Sequence, residues 1–337
     1  MRRPDGYLGS GALFLGHNHP VIQAALADQL SRGNHFFSYL NEQALELARR
    51  LVPLPPCAER IRFTTSGSEA TLNALRLARA HTGRDKILKF EGTCHGNHDY
   101  AQHSTYPMAS VNYPTPLPDT AGIPEAIRDL TREYGIVMIM DKVVTGLRYG
   151  LGGAGLFRHH PRPCDLRQDH RRRPAGRRGG RACRNHGPGR SPPQTPGRDL
   201  CLSERHVQGY PPGCAAALAT LEVLDRPGLY EGVFATADRL RAGLQSVVDS
   251  HGIGLRVFGV GPTWHMAFAE KPPENWREFI ASDLRGLAAL EDGMNAEGIF
   301  LLPAARRFVS LAHDEADLEA TFAAMDRACA RFRAKRL

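Results

Sequence analysis

An α/β fold with a smaller α+β part at its C-terminal end is what this sequence predicts, on three observations. Short β-rich runs alternate with amphipathic helical runs through the first half of the chain. A continuous apolar run, IVMIMD at 136–141, ends in an acid, the pattern of a buried parallel strand whose carboxyl end meets a site. Beyond residue 210 the strand-like runs become shorter and are flanked by long helices, as in an α+β unit.

Taken in order, Pro20 opens a helix through VIQAALADQL that stops near Gly33, and Asn41 is placed to cap a second through NEQALELARRLV. RIRFTT at 60–65 reads as a strand, leading through SGSEA into a third helix, TLNALRLARAH. KILKF at 86–90 is another strand candidate, followed by IVMIMD. CAAALATLEVL and FATADRLRAGLQSVVDS read as helices. GLRVFGVG, HMAFAE, IFLL and RFVSLA read as short strands around a helix through FIASDLRGLAALEDGMNAEG, and a last helix follows Asp314. The expected divisions are an N-terminal segment (1–50), a large part (51–225) and a small C-terminal part (226–337).

With 337 residues, 42% of them hydrophobic, the chain can bury a sizeable core. It shows no signal-peptide pattern and no apolar run long enough to span a bilayer, so a cytoplasmic location is expected. Its seven cysteines (Cys57, Cys94, Cys164, Cys183, Cys201, Cys214, Cys329) form no CxxC pair, and free thiols are expected rather than a disulfide framework or a zinc site. The net charge of +8 is unevenly spread. Residues 158–208 carry 13 arginines, no lysine and four acids, a balance of +9, so the remaining chain is close to neutral at −1. That segment is proline-rich, lacks Phe, Tyr and Trp, and is expected to be irregular.

Among motifs, Thr65-Ser66-Gly67-Ser68-Glu69-Ala70 between a strand and a helix is the strongest. Gly67 allows a tight turn, and the free N–H groups of the helix start together with two hydroxyls suit a phosphate dianion. An ordinary helix cap with a capping glutamate is the competing reading. Asp141, at the end of the apolar run, suits a metal ligand, a structural cap or a partner for a cationic ring nitrogen. Gly150, Gly152 and Gly155 satisfy GxGxxG but do not open a helix after a strand, which argues against a dinucleotide site. His17 and His19 in GHNHP are read as shaping the turn into Pro20 rather than as metal ligands.

Together, GALFLGHNHP, FTTSGSEATLNALRLARAHTGRDKILKFEG, CHGNHDYA, LTREYGIVMIMDKVVTGLRYGLGGAGLF and GYPPGCAAALATLE resemble the class III pyridoxal-phosphate aminotransferases, most closely the glutamate-1-semialdehyde aminomutase-like branch. The resemblance implies fold type I of the pyridoxal-phosphate-dependent transferases: a large domain with a mostly parallel sheet, a smaller C-terminal domain, and a homodimer acting on a small amino or oxo acid. It implies that Ser66, Gly67 and Ser68 hold the cofactor phosphate. Asp141 then pairs with the pyridine nitrogen, keeping the ring an electron sink, while Val143 packs on the face opposite the Cys94-His95-Gly96 turn. Cys94 stands where the family's turn carries an aromatic residue, and Lys142 replaces its glutamate. Arg306 and Arg307, before FVSLAH, are candidates for gripping a substrate carboxylate, against the reading of a solvated basic pair.

The family also needs a lysine that forms the Schiff base with the cofactor, in a motif like TFGKIIGGGLPVGA shortly after GLF. The chain's five lysines (Lys86, Lys89, Lys142, Lys271, Lys335) match no such motif. A register shift accounts for this. Arg167 through Arg173 can be encoded CGG CAA GAT CAT CGG CGG CGG, which read one base further on spells Gly-Lys-Ile-Ile-Gly-Gly. The lysine codon then straddles Gln168 and Asp169. The same shift turns Asp199 through Val207 into IYVYLSGTF, resembling the family's GTF motif, with its threonine across His206 and Val207. In-frame family sequence resumes at GYPPG. The expected N-terminal arm before DGYLGSG is short, and a strand-helix-strand passage between PDTAGIPE and AIRDLTREYG is missing. Alternative readings of the whole are a non-catalytic scaffold and a basic nucleic-acid binder. The absence of aromatics among the arginines argues against the second, and no nucleic-acid or membrane partner is expected.

Overall fold

A computed structural model describes residues 4–34, 41–55, 58–90, 92–105, 139, 147–151 and 209–336. Eight helices and three strands are defined among them. The first three helices are α1 (Pro20–Arg32), α2 (Glu42–Leu51) and α3 (Gly67–Thr82), all close to their sequence expectations. Pro20 at the start of α1 removes a donor that would have no intrahelical partner. Asn41 caps α2, its side chain accepting from Ala44 N–H at 2.9 Å and donating to the Gly209 carbonyl at 2.7 Å. One residue thus starts a helix and ties it to the entry of α4 (Pro211–Leu224). α1 and α2 both pack on α4, and Ala44 and Leu47 meet Cys214 and Leu221 in a small apolar cluster.

The main core lies in the C-terminal part. α5 (Leu229–His251), between left-handed Gly228 and Gly252, packs on β1 (Leu255–Phe258) and on α8 (Glu315–Arg336). β1, β2 (Thr263–Phe268) and β3 (Arg307–Phe308) form an antiparallel sheet in that order, with Leu255 opposite Phe268 and Thr263 opposite Phe308. The helix expected over 279–298 is two: α6 (Trp276–Ile280) and α7 (Leu284–Ala296). Asp283 breaks the run because its carboxylate accepts from Gly286 N–H at 2.8 Å, which makes it a new cap. Leu244, Val248, Met266, Leu287, Leu290, Met294, Val309 and Met325 are fully enclosed between these elements. α5 and α8 approach so closely at Gly243 that a Cβ there would fall 2.3 Å from the Phe322 ring.

Residues 4–16 join this same core. Phe300 N–H donates to Pro4 O at 3.0 Å, Phe308 N–H to Gly6 O at 2.8 Å, and Leu311 N–H to Phe14 O at 3.1 Å, while Phe14 and Leu15 are buried within it. Residues 147–151 are fastened to it as well. The buried Arg148 guanidinium donates to the Val309 and Gly11 carbonyls and lies between the Phe14 and Phe308 rings, at 4.8 and 4.7 Å. Burial lowers its pKa to about 10. The Tyr149 hydroxyl donates to Val260 O at 3.1 Å, and that of Tyr230 to Leu147 O at 2.7 Å.

Three strand expectations are corrected. IFLL, at 299–302, makes only an isolated bridge from Phe300 to Asp5. Residues 60–65 and 86–90 form no ladder, and Leu88 and Phe90 are 71% and 80% exposed. A strand is made by its hydrogen-bonded neighbour more than by β-rich composition, and no described segment pairs with either run. The run 136–141 lies outside the described residues apart from the half-exposed Ile139, and the arginine-rich 158–208 lies wholly outside them.

Candidate cofactor-phosphate site

The first turn of α3 is built by its own sequence. Ser66 is extended (φ −147°, ψ 159°) and its hydroxyl accepts from Glu69 N–H at 3.2 Å. The Glu69 carboxylate turns back onto Thr65, accepting from its N–H at 2.9 Å and its hydroxyl at 2.8 Å, a capping box displaced by one residue. The Thr65 N–H, then the Thr65 hydroxyl, hold the Glu69 carboxyl below the usual carboxylate range. The N–H groups of Gly67 and Ser68 begin a 16-residue helix, so they have no intrahelical acceptor and sit at the positive end of its dipole.

Against this turn lies the loop carrying Cys94, His95 and Gly96. Asn97 N–H donates to Ser68 Oγ at 2.8 Å, and the Thr71 hydroxyl donates to the His95 carbonyl at 2.7 Å. Gly96 has φ +110°, and a Cβ there would lie 2.7 Å from Ser68 Cα, so glycine alone permits the approach. Lys89 supports the loop from behind, its ammonium donating to the Thr93 carbonyl at 2.9 Å and also to that of His103. Cys94 is exposed.

Of the residues singled out in the sequence, Ser66, Gly67, Ser68, Cys94, His95 and Gly96 therefore come together. Asp141, Val143, Gln168 and Asp169 lie outside the described residues. The two arginines part company. Arg306 is exposed, whereas Arg307 on β3 is 1% exposed and its guanidinium pairs with the fully buried Glu291 of α7. Arg307 also meets His265 Nδ1 at 3.2 Å and stands over the Trp264 ring at 5.2 Å. Neither a solvated basic pair nor an open carboxylate grip describes it: Arg306 precedes β3 and is exposed, while both residues of β3, Arg307 and Phe308, are buried.

Thr71, Asn97 and His98 went unnoticed in the sequence. The only signal for them was their nearness to SGSEA and CHG. His17 pairs with Asp5 at 2.7 Å, and His19 stands just before α1 without a side-chain capping bond. Among the described residues no cluster of His, Cys, Asp or Glu could hold a metal, and no helix is long and apolar enough to cross a membrane. Cys94, Cys214 and Cys329 are free thiols.

These residues fit a phosphate dianion. The donor set of one helix turn suits the group: two helix-start N–H groups without intrahelical acceptors, with the Ser66 and Ser68 hydroxyls beside them.

Comparison with known proteins agrees with that chemistry. The sequence pattern of the family "Aminotransferase class-III" matches residues 2–123. The chain is 32% identical to a glutamate-1-semialdehyde 2,1-aminomutase of Thermomicrobium roseum, over 95% of this chain and 85% of the relative. It is 33% identical to the Deinococcus radiodurans protein of the same name, over 94% and 84%. The first alignment runs over 374 residues, more than the 337 of this chain, so it carries gaps on this chain's side. In three dimensions the chain is similar to an omega-transaminase from Sphaerobacter thermophilus, with TM-score 0.73, 22% identity, and 98% of this chain and 87% of the other covered. It is also similar to a glutamate-1-semialdehyde aminomutase from Pseudomonas aeruginosa, with TM-score 0.69, 20% identity, and 98% and 84% covered. At those identities the likeness establishes the fold type that the sequence implies.

Proposed function

This chain belongs to the class III aminotransferase family, and from that premise we propose that it is built for pyridoxal-phosphate-dependent amino-group chemistry on a small amino or oxo acid. The observation that supports the reading is the docking of the 94–97 loop onto the start of α3, which brings the turn proposed to hold the phosphate against the turn proposed to contact the ring. Ser66, Gly67 and Ser68 would hold the phosphate, Cys94, His95, Gly96 and Val143 would contact the ring, and Asp141 would keep a proton on its nitrogen. When bound, the cofactor supplies a cationic ring that spreads the negative charge left at an amino acid α-carbon. Arg306, exposed beside the buried Arg307, remains the candidate for a substrate carboxylate. A homodimer in the cytoplasm, without nucleic-acid or membrane partners, completes the reading.

What the chain lacks is the attaching lysine, which would also move the proton between substrate and cofactor carbons. Lys89 does not stand in for it, because its ammonium is held by two backbone carbonyls. Lys86 is exposed, and Lys271 is exposed beside Glu274 at 3.6 Å. Lys142 and the side chain of Lys335 lie outside what the structure describes, and neither sits in a motif like the family's. On this reading the chain as written would hold the cofactor through phosphate and ring contacts alone. The version with 158–208 restored to the other register has the lysine where Gln168 and Asp169 now stand.

The test is an absorbance titration with pyridoxal phosphate followed by borohydride reduction and peptide mass analysis. The chain as written should give no visible band of lysine-bound cofactor and no labelled lysine, and the register-restored chain should give both. A labelled lysine in the chain as written would refute the register reading. No label in either would refute the cofactor reading.

A further inference from the structure

We propose that Thr71 is a positioning residue, its hydroxyl pinning the 94–97 loop to the first turn of α3 so that the phosphate cradle and the ring-contacting turn form one unit. The inference rests on the cradle reading above and deepens it. Thr71 Oγ1 lies 2.7 Å from the His95 carbonyl, 3.0 and 3.1 Å from the Gly67 and Ser68 carbonyls, and 3.1 Å from His98 Nε2. A hydroxyl has one proton to give, and the shortest contact assigns it to His95 O, while the oxygen accepts from His98 Nε2–H. His98 Nδ1 is buried and meets no hydrogen-bond partner among the described residues, so nothing there would accept from an Nδ1–H and the proton belongs on Nε2. Burial, foremost, pushes the pKa of His98 below its ordinary value and favours the uncharged ring.

The consequence is felt at Ser68. Asn97 N–H donates to Ser68 Oγ at 2.8 Å, which engages a lone pair and leaves the serine proton to point away from the loop, toward an oxyanion at the helix start. That donation exists only while the loop is seated, and Thr71 seats it through His95, two residues before Asn97. At such a site the hydroxyl does more than the local back-bonding to a carbonyl four residues earlier, common for threonine in a helix. It reaches a carbonyl 24 residues away in sequence.

The experiment is calorimetric titration of the full chain with pyridoxamine phosphate and with pyridoxamine, neither of which needs a lysine. The parent chain should prefer the phosphorylated compound. Thr71→Val, close to isosteric, should weaken pyridoxamine phosphate binding by about tenfold, the effect of one lost hydrogen bond, and narrow the preference. Thr71→Ser should restore both. Should Thr71→Val fail to fold, by circular dichroism, Thr71→Ala serves in the same comparison. Unchanged binding in the hydroxyl-free variant, or a serine variant as weak as the valine one, overturns the role given to the hydroxyl. A parent chain that does not discriminate between the two compounds overturns the cradle reading instead, and this inference with it.

Discussion

A methyl group at Gly96 would sit 2.7 Å from Ser68 Cα and 2.9 Å from its hydroxyl oxygen, on a backbone whose φ of +110° few side chains tolerate. Gly96→Ala is therefore expected to cost about 1–3 kcal/mol in strain or displaced packing, and to weaken pyridoxamine phosphate binding as the loop lifts off α3. A lowered urea midpoint together with weaker binding would bear this out; full affinity would show that the loop is not part of the cradle. Ser66, Gly67 and Ser68 could be read in the sequence because hydroxyls and a glycine before a helix make a local pattern. The contacts made by Thr71 could not, since their partners lie 24 and 27 residues away. Arg306 and Arg307 make the same point: one faces solvent and the other the core, and their identical side chains carry no sign of which.

α7 and β3 meet through the buried Glu291–Arg307 pair, in which Glu291 also accepts from Ala304 N–H at 2.9 Å. Removing one charge strands the other in the core. Glu291→Leu alone is expected to destabilise by about 3–5 kcal/mol, whereas Glu291→Leu with Arg307→Leu should recover most of that loss. Chemical denaturation of the two singles and the double measures it, and a double variant as weak as the sum of the singles would show the pair to be uncoupled. Helix spans in this part were legible because apolar spacing and caps are local, and α5 and α8 follow it over 23 and 22 residues. The break at Asp283 was missed although its cap chemistry is local, because the apolar pattern runs on across it.

The molecule as a whole should weaken in acid for a reason located in its core. His265 has its pKa lowered from 6.5 to about 3, by burial first and then by the Arg307 charge, and its Nδ1 accepts from Met266 N–H at 2.8 Å. Between those two values the unfolded chain binds a proton that the folded chain refuses. This contribution is therefore fully present above pH 6.5 and is lost progressively as the pH falls toward 3. His98 acts in the same sense. The urea midpoint should fall between about pH 7 and about pH 5, and fall less in His265→Asn. Equal slopes for the two proteins would rule out His265 as a source. The amino-acid order sufficed for most helix spans, for the caps at Asn41 and Ser66 and for the family, because each is written in neighbours a few residues apart or in a run of motifs. It misplaced the ladders at 60–65 and 86–90 and did not foresee the inward Arg307, the Arg148 tie to Gly11 and Val309, or the seating of the 94–97 loop on α3. Those depend on which distant segment supplies the neighbouring hydrogen bond or counter-charge, and that is settled when the chain packs.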